Sequence, residues 1–224
     1  MTHESYDAVF FDIGGVIVEL RSVREGYARF LDRLDDEYDL PGGAFESWKS
    51  VLGSHFKSRT GTEYKTAKAG YLKATASLFE TPPPEEEWWP MFEAATRECL
   101  RPEPGVVDAI RTIADRDTHV GIVSDIDTEE AEKMLTTFEV WDAFDAVTTS
   151  EAVGYTKPDS RMYEAALDAA SVAPDRAVMI GDRYKHDIAG AVDAGLDAVA
   201  YGPDARGPKA TYEIDSMDEL PDLV

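Results

Sequence analysis

Short runs of apolar residues alternate with amphipathic segments over much of this 224-residue chain. Five of these runs predict β-strands, at residues 8–11, 119–124, 145–149, 176–180 and 197–201. Strands that are apolar on both faces are typical of a parallel sheet with helices on both sides. Amphipathic patterns between the later strands predict helices at 129–138, 160–170 and 187–194. This alternation predicts an α/β core with a doubly wound, Rossmann-like parallel sheet.

The long segment between the first two strands has a different pattern. Its apolar and aromatic residues recur at helical spacing, as in the set Tyr27, Phe30, Leu31 and Leu34. Breaks rich in proline and glycine divide it into four helices, which suffice to bury one apolar stripe. We therefore predict an α/β core formed by residues 1–18 and 101–224, with an inserted all-helical domain at 19–100.

Chemically versatile side chains stand where the predicted strands end. The carboxyl ends of parallel strands share one edge of a sheet, and ligands of doubly wound sheets bind beyond that edge. We expect five residues to meet there: Asp12, Ser124, Lys157, Asp182 and Asp187. An aspartate can attack phosphorus, an ammonium can neutralise the transferring phosphoryl group, and carboxylates bind Mg²⁺. The sequence therefore predicts Mg²⁺-assisted phosphoryl transfer through an aspartate.

Together these motifs resemble those of the haloacid dehalogenase (HAD) superfamily, in the subgroup that carries a helical cap. The resemblance extends from Tyr6 to the C-terminus and rests on Asp12, Ser124, Lys157-Pro158-Asp159 and Gly181-Asp182 followed by Asp187. It implies a Mg²⁺-dependent phosphatase that hydrolyses a small phosphorylated metabolite through an aspartyl-phosphate intermediate. It also implies that the helical domain is a cap that closes over the active site.

The resemblance implies roles for the residues around the phosphoryl group. Asp12 is the nucleophile, and Ser124 and Lys157 hold the phosphoryl group beside it. Asp125 stands where the family frequently has asparagine, so it adds a negative charge next to the same position.

The resemblance also implies a metal site. Asp12, the backbone carbonyl of Gly14 and Asp182 are expected to bind Mg²⁺, which prefers hard oxygen ligands. Asp187 is expected to act one shell out, where it orients water or holds Lys157.

Gly14 departs from the family's phosphatases, which usually carry a second aspartate two residues after the nucleophile. That aspartate is the general acid/base, and losing such a group typically costs about 10²–10⁴ in rate. Three interpretations follow: a slower phosphatase, a phosphatase with a surrogate such as Asp125 or a cap residue, and a catalytically silent relative.

Two alternatives to the phosphatase stay open. A non-catalytic protein that binds phosphate or a partner would keep the scaffold without the general acid. A 2-haloacid dehalogenase would also lack an aspartate at position 14. Those enzymes need no Mg²⁺, however, and usually replace the leading acid of the last motif, which is Asp182 here.

The net charge disfavours some classes of binding partner and indicates the salt conditions in which the protein works. With 45 acidic and 22 basic residues the chain carries −23, which disfavours nucleic acid and anionic membranes as partners. The acids are spread along the chain and arginine outnumbers lysine, a pattern that favours a halophilic protein over an ordinary acidic one. The single cysteine and the lack of signal or membrane-spanning patterns predict a cytoplasmic protein. We expect a small phosphorylated substrate and a monomer or homodimer.

One window of the helical domain inverts this charge balance. Residues 49–76 hold six basic residues and a single acid, Glu63. A positive cluster in an acidic protein can steer an anionic substrate. We predict that Arg59, Lys65 or Lys68 binds a second anionic group of the substrate. The alternative is a contact with the acidic surface of the core or of another subunit.

Overall fold

The chain folds into two compact units in a computed structural model that describes residues 6–224. Leu20–Arg101 forms one of them, which we call the helical unit. The chain up to Glu19 together with Pro102–Val224 forms the other, which we call the core unit. No helix in the described part of the chain is long and apolar enough to cross a membrane.

A six-stranded, all-parallel sheet lies at the centre of the core unit. Its strands are β1 (Ala8–Phe11), β2 (His119–Ser124), β3 (Ala146–Thr149), β4 (Ala177–Gly181), β5 (Asp197–Tyr201) and β6 (Tyr212–Ile214). The order across the sheet is β3-β2-β1-β4-β5-β6, so the direction of winding reverses next to β1. Ligands of doubly wound sheets bind at this reversal. The predicted fold class is confirmed.

Burial on both faces explains why the central strands have no polar alternation. Every residue of β1 and of β4 is buried, as expected for strands covered by helices on both sides. The third strand begins one residue later than predicted, because Asp145 lies outside it. The Asp145 carboxylate accepts a hydrogen bond from the Val120 N–H at 2.9 Å, and its own N–H donates to the Val120 carbonyl at 2.8 Å.

The helical unit contains four helices, as the spacing of apolar residues predicts. They are α1 (Leu20–Tyr38), α2 (Ala44–Lys57), α3 (Ala67–Ala76) and α4 (Glu85–Cys99). Helix α1 packs against α4, and α2 packs against α3. Their shared core is aromatic, and the fully buried Trp48 donates its indole N–H to the Thr75 hydroxyl at 3.1 Å. The unit therefore buries its own apolar stripe, as a small bundle must.

Five further helices cover the sheet of the core unit in the part of the chain that the structure describes. They are α5 (Val106–Ala114), α6 (Thr128–Thr137), α7 (Ser150–Val153), α8 (Ser160–Ala170) and α9 (Ala189–Asp193). The sequence prediction included α6 and α8 but missed α5, the four-residue α7 and the three-residue β6. It also began the last helix at Asp187, whereas a π-helical turn at Tyr184–Ile188 precedes α9. That wider turn holds Asp187 inside the core unit.

Candidate active site

The carboxyl ends of three neighbouring strands line up at one edge of the sheet. Phe11, the last residue of β1, is in register with Ile122 of β2 and Ile180 of β4. Asp12 follows β1 directly, Ser124 ends β2, and Asp182 follows β4. The predicted side chains of these strands therefore belong to one edge, at the point where the winding of the sheet reverses.

Asp12 is a buried carboxylate held by positive charges. Its side chain is 3% exposed, Oδ1 accepts a hydrogen bond from the Ile13 N–H at 2.8 Å, and the same oxygen lies 3.0 Å from the Lys157 ammonium. The other oxygen, Oδ2, lies 3.7 Å from the guanidinium of Arg183. Burial alone would raise the pKa of Asp12, but Lys157 and Arg183 outweigh it, so the pKa is lowered. Asp12 is consequently ionised and available as a nucleophile at neutral pH.

Lys157 is fully buried between carboxylates. Its ammonium lies 2.8 Å from the Val123 carbonyl, 3.0 Å from Asp12 Oδ1 and 2.6 Å from Asp187 Oδ1. Burial alone would lower the pKa of Lys157, yet the surrounding carboxylates raise it. A buried charge is tolerated only when it is paired in this way. The Lys157–Pro158 peptide bond is cis.

Ser124 and Asp125 occupy different positions around these charges. Ser124 is buried, and its hydroxyl helps to lower the pKa of the Asp12 carboxylate. Asp125 instead faces the loop that carries Lys157. Its Oδ1 accepts hydrogen bonds from the Lys157 N–H at 2.8 Å and from the Ser150 hydroxyl at 3.1 Å. Asp125 therefore fixes the backbone of the lysine loop.

Two further carboxylates complete an acidic cluster with Asp12. Asp187 is fully buried, and its Oδ2 accepts the Arg183 N–H at 2.9 Å. One oxygen each from Asp12, Asp182 and Asp187 lies within 4.8 Å of the others. Burial, together with the neighbouring charges of Asp12 and Asp187, raises the pKa of Asp182 to about 7. Burial and the charge of Asp12 likewise raise the pKa of Asp187.

Arg183 is a site residue that sequence reasoning missed. Its guanidinium lies 3.4 Å from Asp125 Oδ2, 3.7 Å from Asp12 Oδ2, and 3.8 Å from both Asp182 Oδ1 and Asp187 Oδ2. The side chain is 42% exposed, unlike that of Lys157. The sequence does offer a signal for Arg183, its position directly after Asp182. A residue that follows a strand-end carboxylate in the sequence lies at the same edge of the sheet.

The predicted substrate-binding residues Arg59, Lys65 and Lys68 lie in the helical unit. Arg59 donates to the Phe56 carbonyl at 3.1 Å, and Lys65 donates to the carbonyl and hydroxyl of Ser58 at 2.9 and 2.8 Å. Arg59 and Lys65 thus hold the turn that follows α2.

Lys68 pairs with an acid and packs against an aromatic ring. Its ammonium lies 2.9 Å from Glu85 Oε1 and 4.6 Å from the ring centre of Trp89. That carboxylate offsets the charge of Lys68 and weakens it as an anion-binding residue.

A family comparison decides what kind of protein carries this site. A model of the haloacid dehalogenase-like hydrolase family matches residues 6–195. The chain belongs to this family. The match covers Asp12, Ser124, Lys157, Asp182 and Asp187, so the superfamily predicted from these motifs is confirmed and the protein is a hydrolase.

Curated relatives of the chain include named phosphatases. The ribulose-1,5-bisphosphate 5-phosphatase of Halopiger xanaduensis is 26% identical over 235 residues, which cover 97% of this chain and 98% of that enzyme. The glyceraldehyde 3-phosphate phosphatase of Methanothermobacter thermautotrophicus is 33% identical over 100 residues, which cover 45% of this chain and 44% of that enzyme. The second match therefore spans less than half of the relative's length.

Solved structures share the fold of this HAD-like hydrolase. The crystal structure of YfnB from Bacillus subtilis bound to magnesium has a TM-score of 0.75 at 19% identity. The likeness covers 98% of this chain and 99% of that chain.

The donor set fits the Mg²⁺ ion that HAD phosphatases use. Asp182 Oδ1 is buried and accepts no hydrogen bond from any residue between 6 and 224. A buried, unsatisfied carboxylate oxygen is costly. Three carboxylates within 4.8 Å also repel one another, and carboxylate oxygens are the ligands that Mg²⁺ prefers. A divalent cation held by Asp12 and Asp182 would satisfy the oxygen and relieve the repulsion.

Gly14 and Gly15 play different parts in this edge of the sheet. Gly14 is half-buried and pairs its backbone with Val18. Gly15 adopts the left-handed conformation at φ 79°, and a Cβ atom there would lie 2.1 Å from Asp182 Oδ2. Only glycine lets the backbone approach the Asp182 carboxylate this closely.

We predict that Gly15→Ala destabilises the protein more than Gly154→Ala does. Gly154 is also left-handed, at φ 86°, but has open space around the added methyl group. Both variants should lose about 1 kcal/mol from backbone strain. Gly15→Ala should lose roughly 1–3 kcal/mol more, because Asp182 must move. Urea unfolding of both variants measures the difference, and equal losses would show that Asp182 yields without cost.

Proposed function

We propose that this protein is a Mg²⁺-dependent phosphatase that hydrolyses a small phosphorylated metabolite through an aspartyl-phosphate on Asp12. The observation that carries the proposal is the state of Asp12, a buried carboxylate kept ionised by Lys157 and Arg183 at the reversal point of the sheet. The relatives named as phosphatases support the same reaction class.

The chemistry begins with the Asp12 carboxylate. One of its oxygens attacks phosphorus, the P–O ester bond breaks, and the alcohol leaves with a proton. Water then attacks the phosphorus of the aspartyl-phosphate, which releases inorganic phosphate and restores Asp12. Lys157 keeps Asp12 in place for both steps through the 3.0 Å ion pair. Such prior fixing of the reacting group removes an entropic cost from the barrier.

Mg²⁺ would be held by Asp12, Asp182 and the Gly14 carbonyl. When bound, it neutralises charge on the transferring phosphoryl group. Asp187 keeps Lys157 against Asp12, since its Oδ1 lies 2.6 Å from the ammonium. We therefore assign Asp187 to positioning Lys157 and Asp182 to the metal.

The missing carboxylate at position 14 makes this a slower phosphatase in our proposal. Asp125 is a poor surrogate, because its Oδ1 already accepts two hydrogen bonds and its Oδ2 lies 3.4 Å from Arg183. Proton transfer to the leaving group then falls to water or to the substrate itself.

The relatives and the basic residues of the helical unit suggest a substrate class. Both relatives are named for phosphates of small sugars or their fragments, and one is named for a bisphosphate. We propose that Arg59 and Lys65 bind a second anionic group, since no acidic side chain pairs with Lys65 among the described contacts. Sugar phosphates and bisphosphates are therefore the first substrates to assay.

We predict Mg²⁺-dependent release of phosphate from members of a sugar-phosphate panel assayed in molar KCl. Asp12→Asn should lower the rate at least about 10³-fold, because the amide removes the nucleophile while keeping its shape. Asp7→Asn, at the opposite end of β1, is the matched control and should keep its activity.

A folded wild-type protein without turnover on any member of the panel would contradict the proposal and favour a phosphate-binding relative. Turnover of a 2-haloacid without metal would favour the dehalogenase instead.

We predict that Mg²⁺ raises the melting temperature and that Asp182→Asn abolishes the rise. At a concentration about 100 times Kd, binding adds about 2.7 kcal/mol, or roughly 5–10 °C for a chain of this size. Asp168→Asn, an exposed aspartate of α8, should leave the shift intact.

The melting temperatures of metal-free wild type and metal-free Asp182→Asn provide a second test of the role of Asp182. A folded-state pKa of about 7 means that Asp182 destabilises the protein when it is ionised above pH 7. Metal-free Asp182→Asn should thus melt higher than the wild type at pH 8. A full Mg²⁺ shift in this variant would rule out Asp182 as the ligand.

We predict that Gly14→Asp raises the rate of phosphate release. The left-handed backbone falls at Gly15 rather than Gly14, so an aspartate at 14 needs no strained conformation. Restoring a general acid/base should raise kcat by about 10²-fold or more where chemistry limits turnover. Gly14→Asn is the control that adds the volume without the acid, and equal kcat in both variants would contradict the interpretation of Gly14.

A further inference from the structure

Two hydrogen bonds fix the backbone on either side of Lys157. The Lys157 N–H belongs to the peptide before this residue and donates to Asp125 Oδ1 at 2.8 Å. The Lys157 carbonyl belongs to the peptide after it and lies 2.7 Å from His186 Nδ1. Peptide groups are planar, so the orientations of these two planes set the direction in which the lysine side chain leaves the backbone. Asp125 and His186 together therefore orient the side chain of Lys157.

The contact of His186 is a hydrogen bond whose donor can be assigned. A carbonyl oxygen only accepts, so Nδ1 of His186 carries the hydrogen and the Lys157 carbonyl receives it. The same nitrogen lies 3.9 Å from Asp125 Oδ2, which is too far for a hydrogen bond. The Lys157 carbonyl is consequently the group that the imidazole ring holds.

One turn of the chain contacts both ends of Lys157. His186 and Asp187 are neighbours in the π-helical turn Tyr184–Ile188. His186 holds the carbonyl of Lys157, and Asp187 Oδ1 lies 2.6 Å from its ammonium. The turn is itself anchored, because the His186 carbonyl accepts a hydrogen bond from the hydroxyl of the fully buried Tyr163. A shift of the Lys157 backbone would therefore separate it from the turn that also holds its charge.

We infer that His186 is a positioning residue for the reaction, whose Nδ1–H holds the Lys157 carbonyl so that the ammonium lies between Asp12 and Asp187. The inference rests on the proposed phosphatase function. His186 acts through Lys157, whose ammonium lies 3.0 Å from Asp12 Oδ1. A cation stabilises developing charge best when it is in place before the reaction begins.

A role in stability alone makes a different prediction. If the hydrogen bond only holds two loops together, its loss should lower the melting temperature and leave kcat of the folded protein unchanged. If it positions Lys157, kcat of the folded protein should fall, because misplacing a catalytic group by about 1 Å can cost about 10²-fold in rate. The two roles are therefore separated by kcat measured on folded protein.

The test compares the wild type with His186→Leu, His186→Asn and Lys185→Ala. Leucine and asparagine branch at the same carbon and have nearly the same shape, but only asparagine carries an N–H donor there. Lys185→Ala is the matched control, since Lys185 is an exposed residue of the same turn. Assays with a substrate that the wild type hydrolyses measure kcat and KM, and thermal melting shows that each variant is folded at the assay temperature.

We expect His186→Leu to lower kcat about 10- to 100-fold. KM should change much less, because groups that bind the rest of the substrate are untouched. His186→Asn should recover most of the lost rate, since its side-chain amide can donate to the Lys157 carbonyl. Lys185→Ala should match the wild type in both constants.

The hydrogen bond can also be tested without turnover, even if His186→Leu does not fold. Nitrogen-15 NMR spectra, recorded at a pH where imidazole rings are neutral, distinguish a hydrogen on Nδ1 from one on Nε2. The signals of His186 are those that disappear in His186→Asn. We expect them to show the hydrogen on Nδ1.

Three results would overturn the inference. A hydrogen on Nε2 of His186 would exclude the hydrogen bond to the Lys157 carbonyl. Wild-type kcat in folded His186→Leu would show that Lys157 keeps its place without His186, with the phosphatase itself unaffected. Equal losses of kcat in His186→Leu and His186→Asn would show that the donor is not what matters. A wild-type protein with the hydrogen on Nδ1 but no turnover of any substrate would end the proposed function and, with it, the positioning role of His186.

Discussion

The site depends on burying one ammonium group. Lys157 can be buried completely only because the carboxylates of Asp12 and Asp187 and the Val123 carbonyl surround it. The pairing in turn dictates much of the neighbouring structure. Asp125 holds the backbone N–H of Lys157, and the π-helical turn brings Asp187 beneath its ammonium. The result of this arrangement is a carboxylate, Asp12, that is ionised while buried.

The sequence predicts the strand-end residues well because the physics there is local. A carboxylate that follows a continuously apolar run must stand at the edge of a buried strand, as Asp12 and Asp182 do. Contacts that depend on loop conformation are not predictable in this way. The two hydrogen bonds of Asp125, the π-helical turn before α9 and the carboxylates around Arg183 all arise from turns whose geometry single residues do not specify. The short β6 was missed because three residues show no periodicity.

The sum of the formal charges in the site shows how Gly14 bears on metal binding. The site holds four carboxylates, Asp12, Asp125, Asp182 and Asp187, against two cations, Lys157 and Arg183. One divalent cation would balance the two negative charges that remain. An aspartate at position 14 would add a fifth negative charge to the cluster. Because position 14 is a glycine, one Mg²⁺ ion would balance the site, and in the proposed phosphatase a dianionic phosphoryl group would then meet no net repulsion from it.

The same charge balance explains why cations inside the site contribute more to binding an anionic substrate than cations on the surface do. A chain with a charge of −23 repels an anionic substrate at low ionic strength. In molar salt the Debye length falls to about 3 Å, so repulsion and steering by surface residues are both screened. Interactions between buried groups are screened much less, and those of Lys157 with its carboxylates persist at any salt concentration. Arg183 is partly exposed yet surrounded by four carboxylates, so its interactions are screened less than those of surface residues and more than those of buried groups. A change in ionic strength should therefore change the strength of its contacts.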